Sequence, residues 1–492
     1  MSSPPTGPTE RPEAIARPEL GTLRDRRRTG HARGLRCLGL RRRCGGDRPG
    51  PDGSGTGRGK RPEHTGPVSH EPSARGVETR PFPLLPTTIQ VSDDVLADLR
   101  QRLELTRWPV DAGNEDWSYG VSRGYLRELV EYWRTGYDWR AAEAAINAYP
   151  HYFVEVDGVP VHFMRKPGVG PDPTPLILTH GWPWTFWHWA KVVDPLADPA
   201  AFGGDPADAF DVIVPSFPGF GFSAPRPHNP DMNFWKVADL WHVLMTETLG
   251  HTKYAAAGCD VGALVTGQLG HKYADELYGI HIGSGQKLTL FDGDRGWDIS
   301  GGRPIPEGIP AAVHDRIIEL ERRFAVHLAA HVLEPSTLAY GLSDSPAGLL
   351  AWILQRWVSW SDNGGDIESV FDKDDLLTHA MIFWVTNSIG TSIRTYANNN
   401  RYPWTPSHDR QPPIEAPTGI TFVGYENPPG VTTDRRVQAF VDSDRGDWYN
   451  HVNLTVHDRG GHFIPWEIPD RWVEDLRRTF RGRTPSTSGI RR

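Results

Sequence analysis

Three residues of this chain combine type, setting and order in a way that could do covalent chemistry: Asp260, Glu426 and His462. Asp260 stands at the apex of Tyr254-Ala-Ala-Ala-Gly258-Cys259-Asp260-Val261-Gly262, a small-residue apolar strand that enters a glycine-flanked turn and then a helix. A turn of that kind presents one side chain in a strained conformation, and glycines flank it because a Cβ there would clash. A carboxylate at the apex is a poor nucleophile toward amides and a good one toward strained or activated carbon, where it forms an alkyl ester. Epoxides and alkyl halides fit that chemistry; peptides do not. Cleaving such an ester needs a base to activate water, and the base needs an orienting carboxylate. His462 lies in Asp458-Arg-Gly-Gly-His462-Phe463, and Glu426 directly follows an apolar strand pattern. Nucleophile, acid, histidine is a known triad order. Asp434, Asp442, Asp444 and Asp447 compete with Glu426 for the acid's role. The loop His180-Gly181-Trp182-Pro183 suits an oxyanion hole, with the amides of Trp182 and Val261 converging on the ester carbonyl oxygen.

These residues must be positioned by strand ends. Strands are predicted at 175–179, 211–215, 254–258 and 277–282, and 419–425 and 452–456 resume the series. Short apolar strands alternating with helices predict an α/β fold whose mainly parallel sheet is covered on both faces. Active residues in such sheets sit at the carboxyl ends of the strands. Upstream, helices are predicted over 88–105, 122–135 and 138–148, and a hairpin over 152–165 around Asp157-Gly158. Residues 285–412 break the alternation and read as a helical lid carrying Trp352, Trp357, Trp360 and Trp384, and 472–481 reads as a closing helix. The predicted organisation is a disordered basic leader at 1–80, an N-terminal meander at 81–170, core at 171–284, lid at 285–412, core at 413–482 and a flexible tail at 483–492.

Composition narrows the class. With 492 residues, 38% apolar and 23% charged, and 19 tryptophans, the chain reads as a soluble globular enzyme with an aromatic-rich interior. It has no run of 18 apolar residues, so no membrane span is expected. Its three cysteines, Cys37, Cys44 and Cys259, make no disulfide framework, which fits the cytoplasm. The net charge of −8 is uneven, because residues 1–80 carry 17 basic against 9 acidic side chains. That segment is Pro/Gly/Arg-rich and poor in aromatics, so it reads as a dispensable leader and not as a nucleic-acid arm or a secretory signal. Gly120-Val-Ser122-Arg-Gly124 mimics a serine-hydrolase turn but follows a polar stretch instead of a strand. His327 and His331 have metal-ligand spacing without a third ligand, so no metal is expected.

Taken together, the elbow, the His180-Gly-Trp-Pro loop, the Gly-Gly-His462-Phe loop and Arg107-Trp-Pro resemble the epoxide hydrolases of the microsomal type and their soluble bacterial and fungal relatives, over residues 81–480. The resemblance implies an α/β-hydrolase fold with a helical lid and an N-terminal meander, and no cofactor. It puts the nucleophile on Asp260, the orienting acid on Glu426, seven residues after Thr418-Gly419, and the base on His462, with an insertion around 441–449 between the last two. Two lid tyrosines of that family hold the epoxide oxygen. One falls on Tyr396, in Arg394-Thr-Tyr396, but the other position carries His327. Val261 stands where haloalkane dehalogenases resemble a pattern with a halide-binding Trp, which weighs against that activity. The implied reaction converts a bulky or aromatic epoxide to a vicinal diol through an ester on Asp260, with Trp182, Trp352 and Trp384 binding the substrate, in detoxification or natural-product biosynthesis. The rivals are a dehalogenase-like hydrolase and a non-catalytic binding protein. A small-molecule epoxide is the implied partner, without nucleic acid or membrane, and with a homodimer as the assembly left open.

Overall fold

Residues 88–91 lie outside any helix or strand, and the first helix, α1 (Asp93–Glu104), starts later than its apolar periodicity predicts. The reason is tertiary. Ile89 exchanges two backbone hydrogen bonds with the Asn147 side chain at 2.9 and 2.8 Å, and the Val91 amide donates to Glu143 at 2.7 Å. Those bonds tie the segment to α3 (Trp139–Ile146), which Asp138 caps by accepting the amides of Arg140 and Ala141. Between them, α2 (Arg123–Thr135) buries Leu129, Val130 and Trp133, and Ser122 of the serine-hydrolase lookalike is merely its N-cap residue. The computed structural model describes residues 82–483 apart from 83, 111–112, 225–227, 293–307 and 309, so the predicted leader and all but Arg483 of the predicted tail lie outside the described residues.

The hairpin of β1 (His151–Val156) and β2 (Val159–Lys166) turns on Asp157 and Gly158, at φ 47° and 73°. Two positive φ values define the type I′ turn that Asp-Gly favours. β2 then pairs antiparallel with β4 (Phe210–Pro215) and feeds the chain into the main sheet. That sheet also holds β3 (Thr174–Thr179), β5 (Tyr254–Gly258), β6 (Leu277–Gly283), β7 (Ile414–Val423) and β8 (Tyr449–His457). Its order is β1-β2-β4-β3-β5-β6-β7-β8, parallel from β4 onward. β7 and β8 begin earlier than predicted, because a ladder pair between Ile414 and Tyr449 extends both.

Helices α4 (Ala190–Ala197), α5 (Phe234–Val243) and α6 (Val261–Lys272) follow β3, β4 and β5. α6 is buried along nearly its whole length. The lid comprises α7 (Ala311–Leu333), α8 (Pro335–Asp344), α9 (Pro346–Trp360), α10 (Lys373–Val385) and α11 (Ile389–Arg401). After β7 comes α12 (Arg436–Val441), and after β8 come α13 (Ile464–Glu467) and α14 (Pro469–Phe480). Among the described residues no helix is long and apolar enough to cross a membrane. Register decides where chemistry can occur: Gly258 pairs with Ile282, and Gly283 with Thr421. The residues just past β5, β6 and β7 therefore share one edge of the sheet, beneath the lid.

Candidate active site

Beyond β5 the chain reverses into α6 through Asp260, held at φ 55° and ψ −132°. Positive φ in a residue with a Cβ costs about 1–3 kcal/mol and persists only where the surroundings fix it. The surroundings are the loop after β3. A Cβ on Gly262 would lie 2.2 Å from the Thr179 carbonyl oxygen, and one on Gly181 would lie 2.4 Å from Cβ of Asp260. Only glycines allow that approach, and its result is a 2.8 Å hydrogen bond from the Trp182 amide to Oδ1 of Asp260.

The other carboxylate oxygen meets the histidine. Nε2 of His462 is 3.0 Å from Oδ2 of Asp260, and Nδ1 is 2.6 Å from Oε1 of Glu426. Glu426 Oε2 in turn accepts the Ser284 hydroxyl at 2.6 Å, from the turn after β6. Two of the four rival aspartates are occupied elsewhere: Asp442 accepts from Gln438, and Asp444 pairs with Lys287. Burial alone would lower the His462 pKa. The Glu426 carboxylate and the Asp260 side chain outweigh it and hold the imidazole up at about 10. Glu426, which burial would raise, is pulled below the usual carboxylate range by His462 and Ser284. Placed between the Glu426 and Asp260 side chains, His462 is thus favoured in its charged form.

Tyr396, on α11, stands across the site with its ring perpendicular to Trp182 and to His327, at 6.3 and 5.8 Å. Burial, and then the charge of Asp260, hold its phenol well above its ordinary pKa, so it stays a proton donor. His327, on α7, stacks on Trp182 at 5.6 Å with the rings 5° apart. A cavity of about 430 Å³ joins Asp260, Glu426, His462, Tyr396 and His327 with apolar walls that include Leu264, Phe291, Leu328 and Trp360.

Residues 84–189 match the family model for the epoxide hydrolase N terminus, and residues 174–291 match that for the alpha/beta hydrolase fold. The protein named "Putative epoxide hydrolase" in Stigmatella aurantiaca is 35% identical over 411 residues, spanning 81% of this chain and 85% of its own. This chain belongs to the epoxide hydrolases. Epoxide hydrolase 1 of Oryctolagus cuniculus is 28% identical over 421 residues, spanning 82% of this chain and 90% of that protein. The crystal structure of juvenile hormone epoxide hydrolase from the silkworm Bombyx mori matches with a TM-score of 0.63 at 25% identity, covering 80% of this chain and 92% of that one. Aspergillus niger epoxide hydrolase shares the fold, with a TM-score of 0.65 at 24% identity over 81% of this chain and 96% of that one.

Three tryptophans expected to bind substrate need correcting for this epoxide hydrolase. Trp182 offers its amide, but its ring is fully buried behind His327, His331 and Tyr396. Trp352 lies off the cavity, donating its indole N–H to His331 at 3.2 Å. Trp384 lies off it too, packed under the Arg102 guanidinium of α1 at 5.9 Å, where it seals the lid to the N-terminal module. Trp360 is the tryptophan on the cavity wall. Two further residues escaped sequence reasoning. Ser284 could have been found as the residue that follows the strand beside β7. Glu467 accepts the amides of Gly461 and Phe463, on either side of His462, at 2.8 and 2.9 Å, and that of Asp362 past α9 at 2.8 Å. An acid one helical turn after the histidine loop was its only signal in the sequence.

Proposed function

We propose that this epoxide hydrolase opens its substrate through a covalent ester on Asp260 and releases a vicinal diol by hydrolysing it. The observation that carries the reading is the division of the Asp260 carboxylate, with Oδ1 on the Trp182 amide and Oδ2 on His462. Oδ1 is the atom that becomes the ester carbonyl oxygen, and the Val261 amide joins Trp182 in holding its charge during hydrolysis. Oδ2 is then the nucleophile. As it bonds to the epoxide carbon, the carbon–oxygen bond breaks, and Tyr396, aided by His327, donates to the departing oxygen.

Charge then sets the second step. Esterification consumes one of the two carboxylates that hold the proton on His462. One proton passes to the alkoxide, directly or through Tyr396, and the imidazole ends neutral. It is now a base, oriented by Glu426, and takes a proton from the water that attacks the ester carbonyl. Collapse returns Asp260 as a carboxylate, leaves the diol neutral and restores the imidazolium, so protons balance over the cycle. The apolar walls suit a bulky or aromatic epoxide. We place the enzyme in the cytoplasm, where the buried free thiol of Cys259 stays reduced, and its diol product suits detoxification or natural-product biosynthesis.

The test is a single turnover with enzyme in excess over styrene oxide in 18O-labelled water, with mass spectrometry of the diol and of the Asp260 peptide. The expected diol carries an unlabelled new oxygen, and the label appears in Asp260. Label entering the diol in the first turnover would mean that water attacks the epoxide directly, and the ester would be ruled out.

A further inference from the structure

Arg436 is 7% exposed, and its Nε lies buried without an acceptor. Its guanidinium rests on the ring of Phe422 at 4.2 Å, lines the same cavity as Asp260 and His462, and forms no ion pair with any described residue. Glu426 is the carboxylate whose field reaches it, but both oxygens of Glu426 are already engaged by His462 and Ser284. Arg445 lines the cavity as well, and it too has no ion pair among the described residues. Its neighbour Asp444 is taken by Lys287. The third guanidinium on the wall, Arg323, is satisfied by Glu319 at 2.6 Å. Arg445 comes from the stretch 441–449 that lengthens the spacing between Glu426 and His462.

Burying a guanidinium with no anion is costly, and a second one nearby makes it costlier. A neutral apolar epoxide gives no return for that cost. The Arg436 guanidinium, set over Phe422 on the cavity wall and without an ion pair among the described residues, suits a two-pronged acceptor, the geometry that a carboxylate matches. One buried and one exposed guanidinium suit a single negative charge. We propose that the epoxide this enzyme takes carries a carboxylate, which docks on Arg436 and Arg445 while the epoxide ring lies at Asp260. The inference rests on the proposed reaction only in taking this cavity as the substrate site.

The test uses the full chain and two matched pairs: styrene oxide bearing a para-carboxylate against its para-carboxamide, and 9,10-epoxyoctadecanoate against its primary amide. In at least one pair the acid is expected to exceed the amide in kcat/KM by about tenfold or more, mainly through KM, the range typical of a hydrogen bond to a charged group. Arg436→Gln should bring that ratio close to one. Arg445→Gln, at an exposed position that carries no fold, should reduce it in part, and more at low salt than at high. A ratio near one for both pairs in the unaltered enzyme overturns the proposal. So does an unchanged ratio in Arg436→Gln with kcat lowered equally for acid and amide, since Arg436 would then serve only the charge of Glu426. Styrene oxide itself reports on the reaction, and binding of the diol acid against the diol amide, followed by tryptophan fluorescence, reports on the docking if no epoxide is turned over.

Discussion

Asp260→Asn removes the charge of the proposed nucleophile while keeping its shape, which is the change that esterification would make. In the unaltered protein His462 is held up at about 10 by carboxylates 2.6 and 3.0 Å from its two nitrogens, against burial that opposes its charge. Removing an opposite charge at that range typically lowers a pKa by roughly 1–3 units, or about 1.4–4 kcal/mol. The imidazole of Asp260→Asn should therefore titrate about 1–3 units lower, with the Glu426 bond intact. The assay is 15N-histidine NMR from pH 5 to 11, with the His462 signal assigned by its loss in His462→Gln. Stability follows the same proton. Because the folded pKa lies above the unfolded value of about 6.5, its contribution is fully present below pH 6.5 and is lost as pH rises through 10. The melting temperature should fall over that window in the unaltered protein, and less so in Asp260→Asn. Superimposable titrations in the two proteins, or a neutral His462 at pH 7 in the unaltered one, would refute the conversion of acid to base by ester formation.

Three further outcomes are expected. Glu426→Gln replaces a charged acceptor at 2.6 Å by an amide, so ester hydrolysis should slow about 10–100-fold and the ester should accumulate, as read by intact-protein mass after rapid quench; equal slowing of both steps would contradict its role. Tyr396→Phe keeps the ring packing but loses the donor, so ring opening in a single turnover should slow about 10²–10⁴-fold, with little change in melting temperature. Glu467→Gln leaves one acceptor oxygen for three amides, so it should cost about 1–3 kcal/mol of stability and lower kcat through the histidine loop while KM changes little; an unchanged melting curve would count against it.

The elbow was legible because close backbone approach leaves a mark in composition: Gly262 and Gly181 cannot bear a Cβ where Thr179 and Asp260 stand. The chain order of Asp260, Glu426 and His462 could be read because the ends of β5, β7 and β8, which these residues follow, lie on one edge of the sheet. Helix α1 was overextended because Ile89 and Val91 continue an apolar period whose backbone is claimed by Asn147 and Glu143, partners more than 50 residues away. Long-range hydrogen bonds of that sort override local pattern, and nothing in residues 88–92 announces them.

The lid tryptophans failed for a different reason. Helix α9 buries Leu349, Leu350, Ile353, Leu354, Trp357 and Trp360 along one stripe, and Trp352 lies beside that stripe and not on it. A stripe of that spacing says which residues are buried, but not whether they face a cavity or packed side chains. The same composition therefore fits a residue that walls a cavity and one that packs behind it. Trp360 and Trp352 are eight residues apart, about two turns, and what separates their roles is what each meets: the open cavity for Trp360, the His331 ring for Trp352. His331 lies edge-on to Trp182 at 4.4 Å, and Trp182 supplies the amide on Asp260. Trp352 thus belongs to the packing that holds the loop after β3 in place, a position defined by contacts across three elements and so invisible in any one of them.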